Sequence, residues 1–193
     1  MSQYTDEFIS AFNFGMLYEV GKFWNPADPD VISGAISTPA QRRAVGYVNI
    51  RADKGGETKY GVAQRFNPNV RVHDLDLRGA IDIYFNQYWL AGRCDAINGA
   101  VAIIHFDACL NHGPKRAAKI LQEAVGCPAD GIIGAQTLAA VAAQSPREII
   151  KKIFYIRQNF YRAIVANDPS QQVFLAGWMT RIKEVTEICL DRA

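Results

Sequence analysis

Apolar positions along the chain recur mostly at helical spacing, in separate blocks. Phe8, Ile9, Phe12, Met16 and Val20 fall on one helical face. Thr5 is placed to cap this helix, and Asp6 and Glu7 suit its first turn. It is expected to stop near Gly21, because Asn25-Pro26 and Asp28-Pro29 are turn signals. Residues 25–62 are rich in Pro, Gly, Ser and Thr, and Val45 to Ile50 alternates as a short strand would, which predicts a small β region. Within it, Pro39 to Arg43 reads either as a short turn of helix or as an exposed loop tip.

Helical spacing resumes after Pro68. Leu77, Ala80, Ile81, Tyr84 and Tyr88 share a face, with Asp74 or Asp76 as the cap. A helix over 99–112 is closed by Gly113, and Pro114 opens the next, which ends at Gly126. Further helices are expected from Ala135 to Ala143, along the stripe from Ile149 to Ile164, and, beyond the Asp168-Pro169 break, over Phe174, Trp178, Ile182 and Val185. No internal repeat has a fixed period. Helices on both sides of one short β region predict a mainly α (α+β) chain. It reads as one domain over 1–193, with a segment 1–95 and a helical segment 96–193, and with a cleft between a β lobe and a helical lobe.

Composition narrows the classes. A chain of 193 residues can bury a full core, and its 49% hydrophobic and 21% charged content is that of a folded protein. The net charge of +2 comes without a Lys/Arg stripe, so nucleic acid is not an expected partner, although an anionic polymer would be tolerated. Asp6 and Glu7 stand where a secretion signal would be basic, and no apolar run reaches membrane-spanning length. Synthesis in the cytoplasm without a signal peptide or stable membrane insertion is the expectation. Cys94, Cys109, Cys127 and Cys189 form no CxxC pair and read as small buried thiols. His105 and His112 read as having no Cys or Glu at ligand spacing. Neither a metal nor a cofactor is expected.

Two places offer chemistry. On an ideal helix Glu19 projects between Phe8 and Phe12, toward the face expected to be buried. Desolvation there would raise its pKa and suit a general acid, but a structural Glu paired with an Arg or capping a turn would look the same. The second place is the run from Asp53 to Gly61, where Gly55, Gly56 and Gly61 permit tight turns and Asp53, Glu57, Thr58 and Tyr60 stand among them. Taken alone, this run is better read as an ordinary hairpin.

The run Asp53-Lys54-Gly55-Gly56-Glu57-Thr58-Lys59-Tyr60-Gly61 resembles a motif of the phage and prophage muramidases with a Glu-Gly-Gly-Tyr signature, glycoside hydrolase family 108. Ile83-Tyr84, Tyr88-Trp89, Phe106-Asp107, Asn111, Gly113 and Leu121-Gln122 are similar to that family's later segments. Asp130-Gly131, Gly134, Thr137 and Leu138, followed by Gly177-Trp178 and Arg181, resemble its C-terminal peptidoglycan-binding region. The order is kept over nearly the whole chain. Two features depart from the pattern: Glu19-Val20-Gly21-Lys22 lacks the signature Tyr, and Asp53 lies 34 residues after Glu19, farther than in the family. An insertion over 25–52 accounts for the distance, while Asp28, in Asn25-Pro26-Ala27-Asp28, keeps the family's spacing.

The resemblance implies a lysozyme-like fold and cleavage of the β-1,4 bond between N-acetylmuramic acid and N-acetylglucosamine. Glycoside hydrolysis needs an acid at the leaving oxygen and a carboxylate across from it. Glu19 would be the acid, and Asp53, with Thr58, would orient water, with Asp28 as the competing carboxylate. Tyr60 reads as a sugar-site residue or as a core tyrosine. Asp107, Trp89, Trp178 and Arg181 read as structural. Peptidoglycan is the implied partner, with phage tail or baseplate proteins as further ones. The implied site of action is the cell wall, reached by pore-mediated release or as part of a virion. A non-catalytic wall-binding or tail module and a lytic transglycosylase are the rival readings.

Overall fold

The computed structural model describes residues 4–49 and 56–193. The chain forms two compact units, Phe12–Phe85 and a second made of Met1–Ala11 with Asn86–Ala193. Helix α1 (Asp6–Glu19) contributes residues to both. The Thr5 hydroxyl accepts the Phe8 N–H at 3.3 Å, one of the donors a helix start leaves open.

In the unit Phe12–Phe85, two short helices follow α1. Asp28 caps α2 (Pro29–Ser33) by accepting the Asp30 N–H at 2.8 Å, and Gly34 closes it at φ 70°. The helical reading of the next segment holds: α3 (Pro39–Ala44) opens with a reciprocal capping box between Thr38 and Gln41. The strand expected over Val45–Ile50 does not form among the described residues; only Val48 is bridged, to Thr58, and Ile50 lies outside them. Alternation over so few residues does not separate a strand from an extended connection. The hairpin lies just beyond, with β1 (Thr58–Lys59) antiparallel to β2 (Val62–Ala63) and Lys59 opposite Val62. Helix α4 (Leu77–Tyr84) is capped by Asp76, whose carboxylate accepts the Gly79 N–H at 2.8 Å. The chain runs on from α4 as a π-helical stretch, Phe85–Leu90.

This unit's core is aromatic. The Phe12 ring meets Trp24 at 5.9 Å and Tyr84 at 5.4 Å between centroids, and Trp24 meets Tyr60 at 6.3 Å, all edge to face. All four side chains are buried. The Trp24 indole N–H is satisfied by Asn13 at 3.3 Å.

The other unit is helical. Its centre is α5 (Gly99–His112), in which every residue from Ala100 to Cys109 is buried, as expected of a helix apolar on all sides. Packed around it are α6 (Pro114–Val125), α8 (Pro146–Asn167) and α9 (Gln172–Leu190), while α7 (Ala135–Ala142) packs on α6. The punctuation read from the sequence is present, with Gly113 at φ 76° between α5 and α6, and Gly126 at φ 77° after α6. Asp107 lies buried between two guanidinium groups, 2.8 Å from Arg157 and 2.9 Å from Arg181.

Candidate active site

Glu19 is the last residue of α1, and it is exposed. This corrects the expectation that it faces the buried side. A wheel position is buried only where another element covers it, and Glu19 is the last residue of α1. A carboxyl group that must reach a polymer has to be accessible, so exposure is compatible with chemistry in a way that full burial is not.

Two glycines bring backbone close to Glu19. The two strands of the hairpin are joined by Tyr60-Gly61, and both residues have positive φ, 52° and 73°. A two-residue connection with that pair of signs follows the natural twist of a hairpin. Gly61 adopts it without strain. A Cβ added there would lie 2.5 Å from the Tyr84 hydroxyl and 3.0 Å from Glu19 Cβ, so the bare α-carbon lets the turn come down onto the glutamate stem. Gly46, at φ 60°, also lies near the end of α1, where a Cβ would meet Val20 Cα at 3.4 Å and the Glu19 carbonyl oxygen at 3.6 Å, ordinary contact distances.

Tyr60 is a non-glycine residue in the left-handed region, a conformation that costs on the order of 1 kcal/mol or more and persists only when surroundings enforce it. Three contacts enforce it here. Its ring is fully buried, its hydroxyl donates to the Val31 carbonyl, and its own carbonyl accepts the Tyr84 hydroxyl at 2.9 Å. These contacts place Tyr60 in the core, where a sugar cannot reach it. Burial also pushes its phenol well above the ordinary range.

The other site residues named from sequence are placed as follows. Thr58 is half-buried in β1 and exchanges backbone hydrogen bonds of 2.8 and 2.9 Å with Val48. Asp28 is half-buried, with one carboxylate oxygen committed to capping α2. Asp53 lies outside the described residues.

Glu57, noted in the sequence among the glycines but given no role there, stands next to Thr58. The Glu57 carboxylate accepts the Tyr47 hydroxyl and lies 3.0 Å from His73 Nδ1. The bond to Glu57, helped by burial, raises the Tyr47 phenol above its ordinary value. Position 57 was visible among the glycines, but no spacing rule ties it to Tyr47 or His73. Lys59 is fully buried, with its ammonium donating to the His73 carbonyl at 2.9 Å.

In the helical unit, an open groove of about 520 Å³ is lined by Arg93, Lys115, Asp130 and the Gly131–Ile133 segment. Lys115, Arg116, Lys119 and His112 border a second hollow. One reading of the histidines needs correction. Cys109 follows His105 by one helical turn, which is ligand spacing, and Cys94 joins them.

Comparison with known proteins decides what this arrangement belongs to. The model described as Glycosyl hydrolase 108 matches residues 42–113, and the one described as Predicted Peptidoglycan domain matches residues 116–183. The solved structure titled "Structure of Brucella abortus SagA" is 31% identical, with the alignment covering 75% of this chain and 86% of that one at a TM-score of 0.63.

The chain belongs to glycosyl hydrolase family 108.

A search of curated proteins finds no match. As a member of glycosyl hydrolase family 108 the chain is a lysozyme-like, mainly α peptidoglycan hydrolase. The match to the hydrolase model begins at residue 42, so the hairpin and Thr58 fall within it and Glu19 does not. The residues between Glu19 and the hairpin include α2 and α3, two regular helices with complete caps. Among the described residues, no helix is long and apolar enough to cross a membrane.

Proposed function

We propose that this family member is an N-acetylmuramidase, with Glu19 as the general acid that protonates the bridging oxygen between N-acetylmuramic acid and N-acetylglucosamine. The observation that carries the reading is the Gly61 turn lying against the stem of Glu19, an exposed residue at the end of α1, with buried aromatics beneath the turn. Preorganisation of this kind gives a catalytic group a fixed position without closing off the substrate. Thr58 supplies a hydroxyl from the same hairpin, and Asp53 is the carboxylate assigned to orient the attacking water with it. Asp28 is the weaker partner because capping α2 occupies one of its oxygens. The basic groove at Arg93 and Lys115 would meet the carboxylates of peptide stems.

The biological setting that fits is phage lysis or virion entry through the wall. It rests on the resemblance to phage and prophage enzymes.

Digestion of purified peptidoglycan tests the proposal. The wild-type chain should release new reducing ends, and Glu19→Gln should release none while remaining folded. An inert wild type would support a wall-binding module instead. Products ending in 1,6-anhydromuramic acid would identify a lytic transglycosylase and remove the need for Asp53 and Thr58.

A further inference from the structure

The only group of three or more potential metal-ligating side chains found among the described residues lies in the helical unit, at Cys94, His105 and Cys109. Their ligand atoms all lie within 4.8 Å of one another, and the three residues are 0%, 1% and 0% exposed. His105 and Cys109 stand one turn apart on α5, and Cys94 begins the 3₁₀ turn Cys94–Ala96. Gly92 makes the approach possible: a Cβ there would lie 2.5 Å from the Cys109 sulfur and 3.3 Å from the Cys94 sulfur. The Gly92 carbonyl oxygen is 2.9 Å from His105 Nε2, which in turn is 3.9 Å from the Cys109 sulfur. Two sulfurs, one imidazole nitrogen and one carbonyl oxygen therefore border the same small space.

We propose that this is a structural site for a thiophilic divalent cation, zinc by its donor set, ligated by the Cys94 and Cys109 sulfurs and His105 Nε2, with the Gly92 carbonyl in the fourth position. Thiolate and imidazole select zinc over the hard oxygen-seeking cations. Donor atoms around a tetrahedral zinc stand roughly 3.3–3.8 Å apart, as follows from Zn–S of about 2.3 Å and Zn–N of about 2.0 Å. The separation of 3.9 Å between nitrogen and sulfur is already close to that requirement.

Charge balance favours the ion as well. Binding forms two Zn–S bonds, one Zn–N bond and one bond to the Gly92 carbonyl oxygen, releases the two thiol protons to solvent, moves the Nε2 proton to Nδ1, and replaces the hydrogen bond between Nε2 and that carbonyl. A dication with two thiolates and a neutral imidazole carries no net charge, which is the condition for holding an ion in an apolar interior. The ion would fasten the turn at residues 92–96 to the centre of α5. The site is independent of Glu19 and of the chemistry proposed there.

The test is to produce the full chain in medium supplemented with zinc, or with cobalt as a spectroscopic probe, and to measure bound metal by elemental analysis. Stoichiometric metal, thiolate-to-cobalt charge-transfer absorption, and a thermal midpoint that falls when the metal is stripped are the expected results. Cys109→Ser and Cys94→Ser should lose the absorption band, and Cys127→Ser should keep it. If either variant fails to fold, the wild-type absorption and metal content still decide. Folded, metal-free wild type from supplemented medium, or a Cys94–Cys109 disulfide found by peptide mass mapping, would overturn the proposal.

Discussion

The hydroxyl of Tyr84 donates to the carbonyl of Tyr60 at 2.9 Å, so the last residue of α4 holds the turn of the hairpin by its main chain. The same hydroxyl occupies the space that a side chain at Gly61 would need. Together these contacts make position 61 intolerant of any side chain. Gly61→Ala is expected to cost roughly 1–3 kcal/mol through the left-handed backbone and the clash. It should also lower hydrolysis by shifting the turn away from Glu19. Urea denaturation alongside wall digestion checks both; a variant as stable and active as wild type would remove the role assigned to the turn.

Glu19 separates stability from chemistry. Because it is exposed at a helix end, Glu19→Gln should change stability by no more than about 0.5 kcal/mol. Activity, in contrast, should fall by roughly 10²–10⁴-fold, the range expected for removal of a general acid. A variant that retained most of its turnover would require a different acid.

Asp107 governs acid stability. Burial pushes its pKa up, but Arg157 and Arg181 more than offset this, so its folded-state value lies below the ordinary carboxylate range. Its contribution is therefore fully present above the unfolded-state value of about 4 and is lost as pH falls through the folded-state value. Asp107→Asn should cost about 3–5 kcal/mol at neutral pH, because it leaves buried guanidinium groups uncompensated. Denaturant midpoints measured from pH 7 downward should show a shallower acid slope in the variant. An unchanged slope would mean that another carboxylate controls acid unfolding.

Glu57 can be followed through its neighbour. Tyr47 titrates above its ordinary value because it donates to the Glu57 carboxylate. Glu57→Gln should bring that phenol back down toward about 10. An NMR pH titration of labelled tyrosine would detect the change, and an unshifted Tyr47 would show that the pairing is absent in solution.

These expectations draw on features that the sequence discloses unequally. Helices were legible where two signals coincided, apolar period and terminal chemistry: Thr5 before α1, Asp76 before α4, Gly113-Pro114 between α5 and α6. Strands of two residues carry no usable period, so alternation at Val45–Ile50 misled, while the hairpin of β1 and β2 was legible only from its glycines. Residue placement followed the same division. Glu19 could be nominated from its motif, but its exposure depends on where α1 ends and on what covers it. Tyr60 reads as a surface or core residue until Val31 and Tyr84, which lie far from it along the chain, are known to hold it. His105 and Cys109 are neighbours on one helix and could have been paired from spacing alone. Cys94 reaches them only because Gly92 leaves room, which is a tertiary fact.

The shortness of the hairpin has a dynamic consequence. With so few ladder hydrogen bonds, β1 and β2 have little cohesion of their own. What fastens them is Tyr60, whose ring meets Trp24 and whose carbonyl accepts the Tyr84 hydroxyl. The Tyr60 amide, bonded to the Val45 carbonyl at 2.7 Å, should therefore exchange its proton with solvent only when the aromatic core of residues 12–85 opens as a whole. Heating should then abolish activity in one step with the melting of that unit, with no earlier stage in which the catalytic turn alone has come loose.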